Sequence, residues 1–169
     1  MKNNRVSRNL VTIVNKYTLH LWRETRGLQM PQFLTQAPLS LRLRIMSAAY
    51  LHHISRHHIF EECETAFLRQ LCGCLKLYTY NEGMYVVKES DITNSMYVIH
   101  TGKVKETCEE INSSARVYPA GSYFGILQGL RRNTPYTQSY QTMNKSQVLT
   151  LDLDDWEYLL KHFPESRDA

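Results

Sequence analysis

No stretch of ~18 consecutive apolar residues occurs in this chain, so none of it reads as a membrane-spanning helix. The longest apolar tracts are broken by charge within a few positions. Met1-Lys2-Asn3-Asn4-Arg5 leads into no apolar run with a small-residue cleavage site, so no secretory leader is expected. Cysteine is scarce. Cys63, Cys72, Cys74 and Cys108 are the whole set, and Cys72-Gly73-Cys74 is a C-x-C without a second pair at zinc spacing. These cysteines read as small packed thiols in a reducing compartment. Seven glycines and five prolines in 169 residues exclude collagen and low-complexity disorder. G-x-S-x-G, P-loop and H-E-x-x-H motifs are absent, which removes the commonest catalytic signatures. What remains is ordinary globular usage, 43% hydrophobic and 21% charged, enough to bury a core without disulfide or metal staples.

Charge is unevenly spread. Residues 1–58 carry nine Lys or Arg against one acid, Glu24, whereas residues 59–169 carry eleven against fifteen acids. A basic first third and an acidic remainder point to two functional parts. The first third reads as helical. Leu10, Val14, Tyr17 and Leu21 share one helix face, and Gly27 is a plausible stop. Pro31 opens a short helix through Gln36. The next helix runs from about Pro38 to Ser55 with two apolar stripes. Leu39, Leu43, Met46, Tyr50 and Ile54 form one, and Leu41, Ile45 and Ala48 the other. A surface helix needs one stripe. Two stripes mean either a helix clasped by its own body and a neighbouring subunit, through Leu39, Leu41, Leu43, Ile45 and Tyr50, or a fully interior helix. A further helix is expected over Glu61–Cys72, ended by Gly73.

After Leu75 the apolar period falls from 3.6 to 2. Strands are expected at Leu75–Tyr80, Met84–Lys88, Ser95–His100, Lys103–Cys108, Arg116–Tyr118, Gln138–Thr142 and Gln147–Leu151, with a tight hairpin at Thr101-Gly102. The tyrosines at 78, 80, 85, 97, 118 and 123 read as core and cross-strand packing. The acidic run from Asp152 opens a last helix with capping residues. Many short strands between turn signals indicate an α+β chain with an antiparallel, jelly-roll-like β-roll. A jelly-roll metalloenzyme would need an H-x-H pair on strands, and the roll offers only His100. No metal is expected, the one weak candidate pair being His53 and His57 at i, i+4. Four histidines within His52–His58 also make pH sensitivity a secondary expectation. The roll is net acidic, which argues against nucleic acid.

Three segments carry a family resemblance: Asn81-Glu82-Gly83-Met84-Tyr85-Val86-Val87, then Met96 to Val104 with its Gly102 turn, then Gly121-Ser122-Tyr123-Phe124-Gly125. In order and spacing they resemble the cyclic-nucleotide-binding β-roll, also called a double-stranded β-helix. Tyr17 to Gly27, with Ala37-Pro38-Leu39-Ser40-Leu41-Arg42, is similar to the helical C-linker of cyclic-nucleotide-gated, hyperpolarisation-activated and ether-à-go-go-type cation channels. The resemblance implies a partial C-linker at 1–58 and a roll at 59–169 that stops before the final lid helix. It implies no enzyme. It implies instead a regulatory and assembly module on the cytoplasmic side of the plasma membrane, whose partners are other subunits of a homo- or heterotetramer. The alternative is a soluble cyclic-nucleotide sensor, such as a kinase regulatory subunit.

By the same resemblance the nucleotide pocket would comprise Phe124, Gly125, Ile126, Leu127, Gln128, Thr134, Pro135, Tyr136 and Thr137. Two family features are missing from it. A ribose-binding glutamate is replaced by Ile126, and no arginine stands in Asn133–Gln138 to meet the cyclic phosphate. Arg131 and Arg132 are the substitute phosphate contacts. Burying a phosphate without a cation or a full set of donors costs several kcal/mol. Little or no binding of cyclic AMP or cyclic GMP is therefore expected, and no cofactor is required.

Overall fold

The computed structural model describes Thr12, Leu19 and residues 36–55, 58–107 and 115–167. The expected helices over Leu10–Gly27 and Pro31–Gln36 lie largely outside these residues, as do His57 and Cys108. Contacts divide the chain into Met1–Pro38 and Leu39–Ala169. That division falls well before the boundary expected at 58/59. The helix that follows Pro38 belongs with the strands.

Helix α1, Leu39–Ile54, buries one of its two apolar stripes. Leu43, Tyr50 and Ile54 are inside, while Leu39 and Leu41 are exposed. A 3-10 turn, His58–Phe60, drops Phe60 into the core. Helix α2 spans Thr65–Cys74, with Phe67, Leu68, Leu71 and Cys72 on its buried face. It begins later than Glu61 and does not stop at Gly73. A Cβ on Gly73 would lie 2.5 Å from Leu43 Cδ2. This glycine permits close contact with α1, and α2 continues one residue past it. The thiol of Cys72 is pushed up to about 12 by burial.

Eight strands follow in two four-stranded antiparallel sheets. They are β1 Lys76–Tyr80, β2 Tyr85–Val87, β3 Ser95–Thr101, β4 Lys103–Thr107, β5 Val117–Pro119, β6 Tyr123–Phe124, β7 Ser139–Thr142 and β8 Ser146–Asp152. One sheet has the order β1-β8-β3-β6 and the other β2-β7-β4-β5. Successive strands mostly change sheets, so the chain winds as a roll. Gly102, at φ +93, alone separates β3 from β4. The two-residue strand β6, which holds the strand tyrosine Tyr123, pairs with β3 through Tyr97 and Val98.

Period-2 alternation sorts the side chains. Tyr97, Ile99 and Val148 of one sheet meet Val87, Val104 and Tyr140 of the other, with Phe124 and Tyr136 between them. β3 is buried on both sides from Ser95 to Ile99, because helices cover its outer face. Tyr123 faces the helices, and its hydroxyl donates to the α1 carbonyls of His53 at 2.7 Å and Ile54 at 3.1 Å. These are carbonyls that the end of a helix leaves unpaired. Tyr78 and Tyr85 depart from the expected packing: both are exposed, Tyr78 on the edge strand β1 and Tyr85 at a bulge in β2.

A short helix α3, Ile126–Leu130, follows β6, and helix α4, Leu153–His162, follows β8. Trp156 of α4 meets Phe60 and Phe67 edge-on, at 6.1 and 5.6 Å between ring centroids. Asp152 occupies the cap position of α4 but makes no side-chain cap bond. Its carboxylate takes Lys76 Nζ and the Ser95 hydroxyl instead. Burial alone would raise its pKa, but those two hydrogen bonds outweigh burial and hold it below the ordinary value.

Candidate functional site

The segment expected to form a pocket runs from β6 through α3 to β7. Phe124 ends β6 facing inward and is sandwiched between Tyr97 and Tyr140, with centroids 5.1 and 4.3 Å away and planes 16° off parallel in both cases. Gly125 reverses the chain at φ +70, in the left-handed region that glycine enters without penalty. A side chain is also excluded there by space. A Cβ on Gly125 would collide with the Tyr136 hydroxyl and lie 2.9 Å from Tyr136 Cζ.

Tyr136 therefore fills the space beside the Gly125 turn. It is 3% exposed, and its hydroxyl donates to the Ser95 carbonyl at 2.8 Å. Its ring stands edge-on to Tyr140 at 6.1 Å. Burial raises the pKa of Tyr136, Tyr140 and Tyr97, and takes Tyr80 up to about 12. The roll interior is thus a set of neutral phenols and aliphatic side chains. Among the described residues no Lys, Arg or His is buried.

The remaining expected pocket residues scatter. Ile126 is half-buried, Leu127 exposed and Thr134 half-buried, while Pro135 and Thr137 are exposed. Gln128 is buried and donates to the Pro135 carbonyl at 3.2 Å, which ties α3 to the loop. Arg131 is exposed. Arg132 is held by Asp154 at 2.7 Å and Glu157 at 2.6 Å, both on α4, so its guanidinium faces acids and not the roll interior.

Charges of both signs, Glu106 and Arg116, stand beside the interior and act on Tyr140. Glu106 pairs in register with Tyr140, two residues beyond the core residue Val104, and its carboxylate accepts the Tyr118 hydroxyl. The Arg116 guanidinium lies over the Tyr118 ring, 5.1 Å from its centroid. Strand alternation from Val104 would have placed Glu106 inside. Tyr136 was among the expected pocket residues, but as part of the lining and not as its filling, and nothing in the sequence pattern pointed to Ser95.

Two other groups of residues bear on the site. The five expected interface residues of α1 divide: Leu39 and Leu41 are exposed and Ile45 half-buried, but Leu43 and Tyr50 are core residues and present nothing outward. The His53 ring contacts the His100 ring of β3 at 4.5 Å and the His52 ring at 3.7 Å. Among the described residues no group of three or more His, Cys, Asp or Glu could hold a metal ion. A shallow cleft of about 230 Å³ on the outside of the roll, lined by Tyr85, Lys88, Glu89, Ser90 and Ser139, was not expected from the sequence. No helix among the described residues is long and apolar enough to cross a membrane.

The family model of the cyclic nucleotide-binding domain matches residues 77–163. Among similar proteins, the cyclic nucleotide-gated channel alpha-3 of Homo sapiens is 26% identical over 174 residues, covering 100% of this chain and 25% of that protein. The cyclic nucleotide-gated channel cone photoreceptor subunit alpha of Gallus gallus is 26% identical over 170 residues, covering 98% and 23%. The cyclic nucleotide-gated channel alpha-4 of Mus musculus is 27% identical over 172 residues, covering 99% and 30%. This chain therefore spans less than a third of the length of these relatives, and the similarity includes the N-terminal residues that the family model does not match. With two antiparallel sheets wound as a roll and flanked by helices, and with a family match over half its length, the chain belongs to the cyclic nucleotide-binding domain family.

Proposed function

We propose that this chain is the regulatory and assembly module of a cation-channel subunit, placed on the cytoplasmic side of the plasma membrane, and that its roll works without strong dependence on cyclic nucleotide. Residues 1–58 act as the linker part, and residues 59–169 as the roll that biases the linker's position. The partners are other channel subunits in a homo- or heterotetramer. No catalytic step and no cofactor are assigned. The channel role draws on the named relatives, which are channel subunits matched along nearly the whole of this chain.

The observation that carries the ligand-independent part is Tyr136. Its phenol abuts the Gly125 turn inside an aromatic interior, and among the described residues no Lys, Arg or His is buried. A cyclic phosphate placed there would lose its water and gain no counter-charge, at a cost of several kcal/mol. Ile126 stands where the resemblance would put a ribose-binding acid, and Arg132 is engaged by Asp154 and Glu157. The assembly part is supported by Leu39 and Leu41, exposed on α1 beside Arg44. Calorimetric titration with cyclic AMP and cyclic GMP tests the ligand-independent part. The expected result is no saturable heat in the micromolar range. Saturation there would overturn that part and favour a cyclic-nucleotide sensor.

A further inference from the structure

Tyr136 lies on one of two loops that are hydrogen-bonded to each other and tied to α3 through Pro135 and to α4 through Asn94. Ser90 N–H donates to the Tyr136 carbonyl at 2.7 Å, and Tyr136 N–H donates to the Asp91 carbonyl at 3.0 Å. Asn133 N–H reaches Asn94 Oδ1 at 2.8 Å. Ser90, Asn94 and Asn133 are the non-glycine residues with positive φ among the described residues, at +70, +51 and +55. All three lie on these two loops. Asparagine tolerates the left-handed region, but serine at +70 is held there against its preference. Backbone strain persists where the surroundings enforce it, and it gathers at parts that move or clamp. The rest of the interior shows none: β3 and β8 are buried, regular and paired from Ser95 to Asp152 in register apart from one shift near Thr101.

The space that Tyr136 fills has a definite chemistry. Its walls include Tyr97, Phe124 and Tyr140. Its polar groups are the Ser95 carbonyl, to which Tyr136 now donates, and the Thr93 side chain, which hydrogen-bonds Tyr136. Glu106 and Arg116 meet on the Tyr118 side chain and offset each other, so an anion in the seat gains no uncompensated cation. Flat, neutral molecules with a single hydroxyl donor satisfy all three conditions. An anion fails the third.

We propose that Tyr136 is a withdrawable stopper of the roll, and that the seat it vacates takes a neutral phenol-bearing molecule in place of a cyclic phosphate. The proposal rests on the reading of the roll as closed to cyclic nucleotide, and extends it by naming what the seat accepts. Withdrawal moves the Ser90–Asn94 and Asn133–Tyr136 loops together, since each is hydrogen-bonded to the other. The outer cleft shares Ser90 with these loops, so opening reshapes it as well.

Two measurements on the 169-residue chain test this. Amide hydrogen exchange in the unaltered chain reads the withdrawal. The Ser90 and Tyr136 amides are expected to exchange at least about tenfold faster than those of Val98 and Leu149, because they open without global unfolding. Equal protection would overturn the stopper. The Tyr136→Gly chain, titrated with p-cresol, toluene and cyclic AMP by thermal melting and calorimetry, reads the seat. Expected are a lowered Tm that p-cresol restores in a saturable way, and binding of p-cresol about fivefold tighter than toluene for the one added hydrogen bond. Folded Tyr136→Gly chain that ignores p-cresol, or that binds cyclic AMP as well as it binds p-cresol, would overturn the seat. If Tyr136→Gly does not fold, Tyr136→Phe serves. It keeps the ring and frees the Ser95 carbonyl, so faster exchange at Ser90 with unchanged exchange at Leu149 supports the stopper and uniform loss of protection opposes it. Cyclic AMP binding to the unaltered chain would defeat the proposed function alone, since p-cresol and exchange are read separately.

Discussion

Tyr136 and Leu41 both carry large apolar bodies, yet Tyr136 is 3% exposed and Leu41 is 44% exposed. The roll interior is completed by the chain itself: Phe124 stacks between Tyr97 and Tyr140, and Tyr136 closes the remaining space beside Gly125. The outer stripe of α1 is not completed in this way. Leu43, Tyr50 and Ile54 of one stripe are inside, whereas Leu41 of the other stripe is exposed, as is Leu39 at the first position of the helix. A cavity already full of side chains binds nothing until one of them leaves. An apolar stripe left open lowers its free energy by meeting another surface. The region that the resemblance marks as a receptor is thus the self-sufficient one, and the region marked as a connector is the incomplete one.

The strongest test of the comparison is Phe124→Ala. A residue stacked on both faces at the centre of the interior should cost about 3–5 kcal/mol in urea unfolding. A loss below about 1 kcal/mol would mean that the interior is loosely filled and that the contrast with α1 fails. Gly125→Ala comes next, at about 2–4 kcal/mol, because the new Cβ meets both an unfavourable φ and the Tyr136 phenol. Pairing it with Tyr136→Gly sharpens the result. Removing the phenol should recover the steric part of the loss and leave the backbone part, a non-additivity that a double-mutant cycle reads directly.

A smaller effect is expected from Asp152→Asn followed against pH. The folded-state pKa of Asp152 is lowered, so its contribution is present above the ordinary carboxylate value near 3.8 and is lost as pH falls through the folded value. The stability difference between the two chains should be constant near neutrality and shrink below about pH 4. A difference that grows in acid would reverse the sign and remove the role given to Lys76 and Ser95. The smallest effect on stability is expected from Leu41→Ser, within about 0.5 kcal/mol in urea. Sedimentation of the same chain should show weaker self-association. If Leu41→Ser instead unfolds the protein as Phe124→Ala does, α1 has no open side.

Much of the fold was legible in the residues. The change of period after Leu75 located the strands, and Gly102 marked the hairpin between β3 and β4, because alternation and a positive φ are local matters. Gly73 misled for the opposite reason. Glycine after a helical run reads as a stop, but Leu43 of another helix decides its role. Asp152 misled likewise. It reads as a cap, and Lys76 and Ser95 take its carboxylate. The two stripes of α1 were visible, but which residues stay open was not. Leu43 and Tyr50 proved to be core, since α2 and the roll claim that side. The absence of an arginine in Asn133–Gln138 was plain in the sequence. What occupies the space was not, because Asn133-Thr134-Pro135-Tyr136 reads locally as a loop.

By itself the sequence determined the strand pattern, the basic first third, and the missing acid and base of the segment after Phe124. These follow from residue type and spacing within a few positions. Only the tertiary structure decided that Tyr136 fills the seat and that Arg132 is held by α4. Tyr136 meets its acceptor across 41 residues of chain and Arg132 its acids across 22 and 25. Contacts at such separations exist only after the two sheets have closed, when burial and hydrogen-bond geometry select among neighbours that the linear order never placed together.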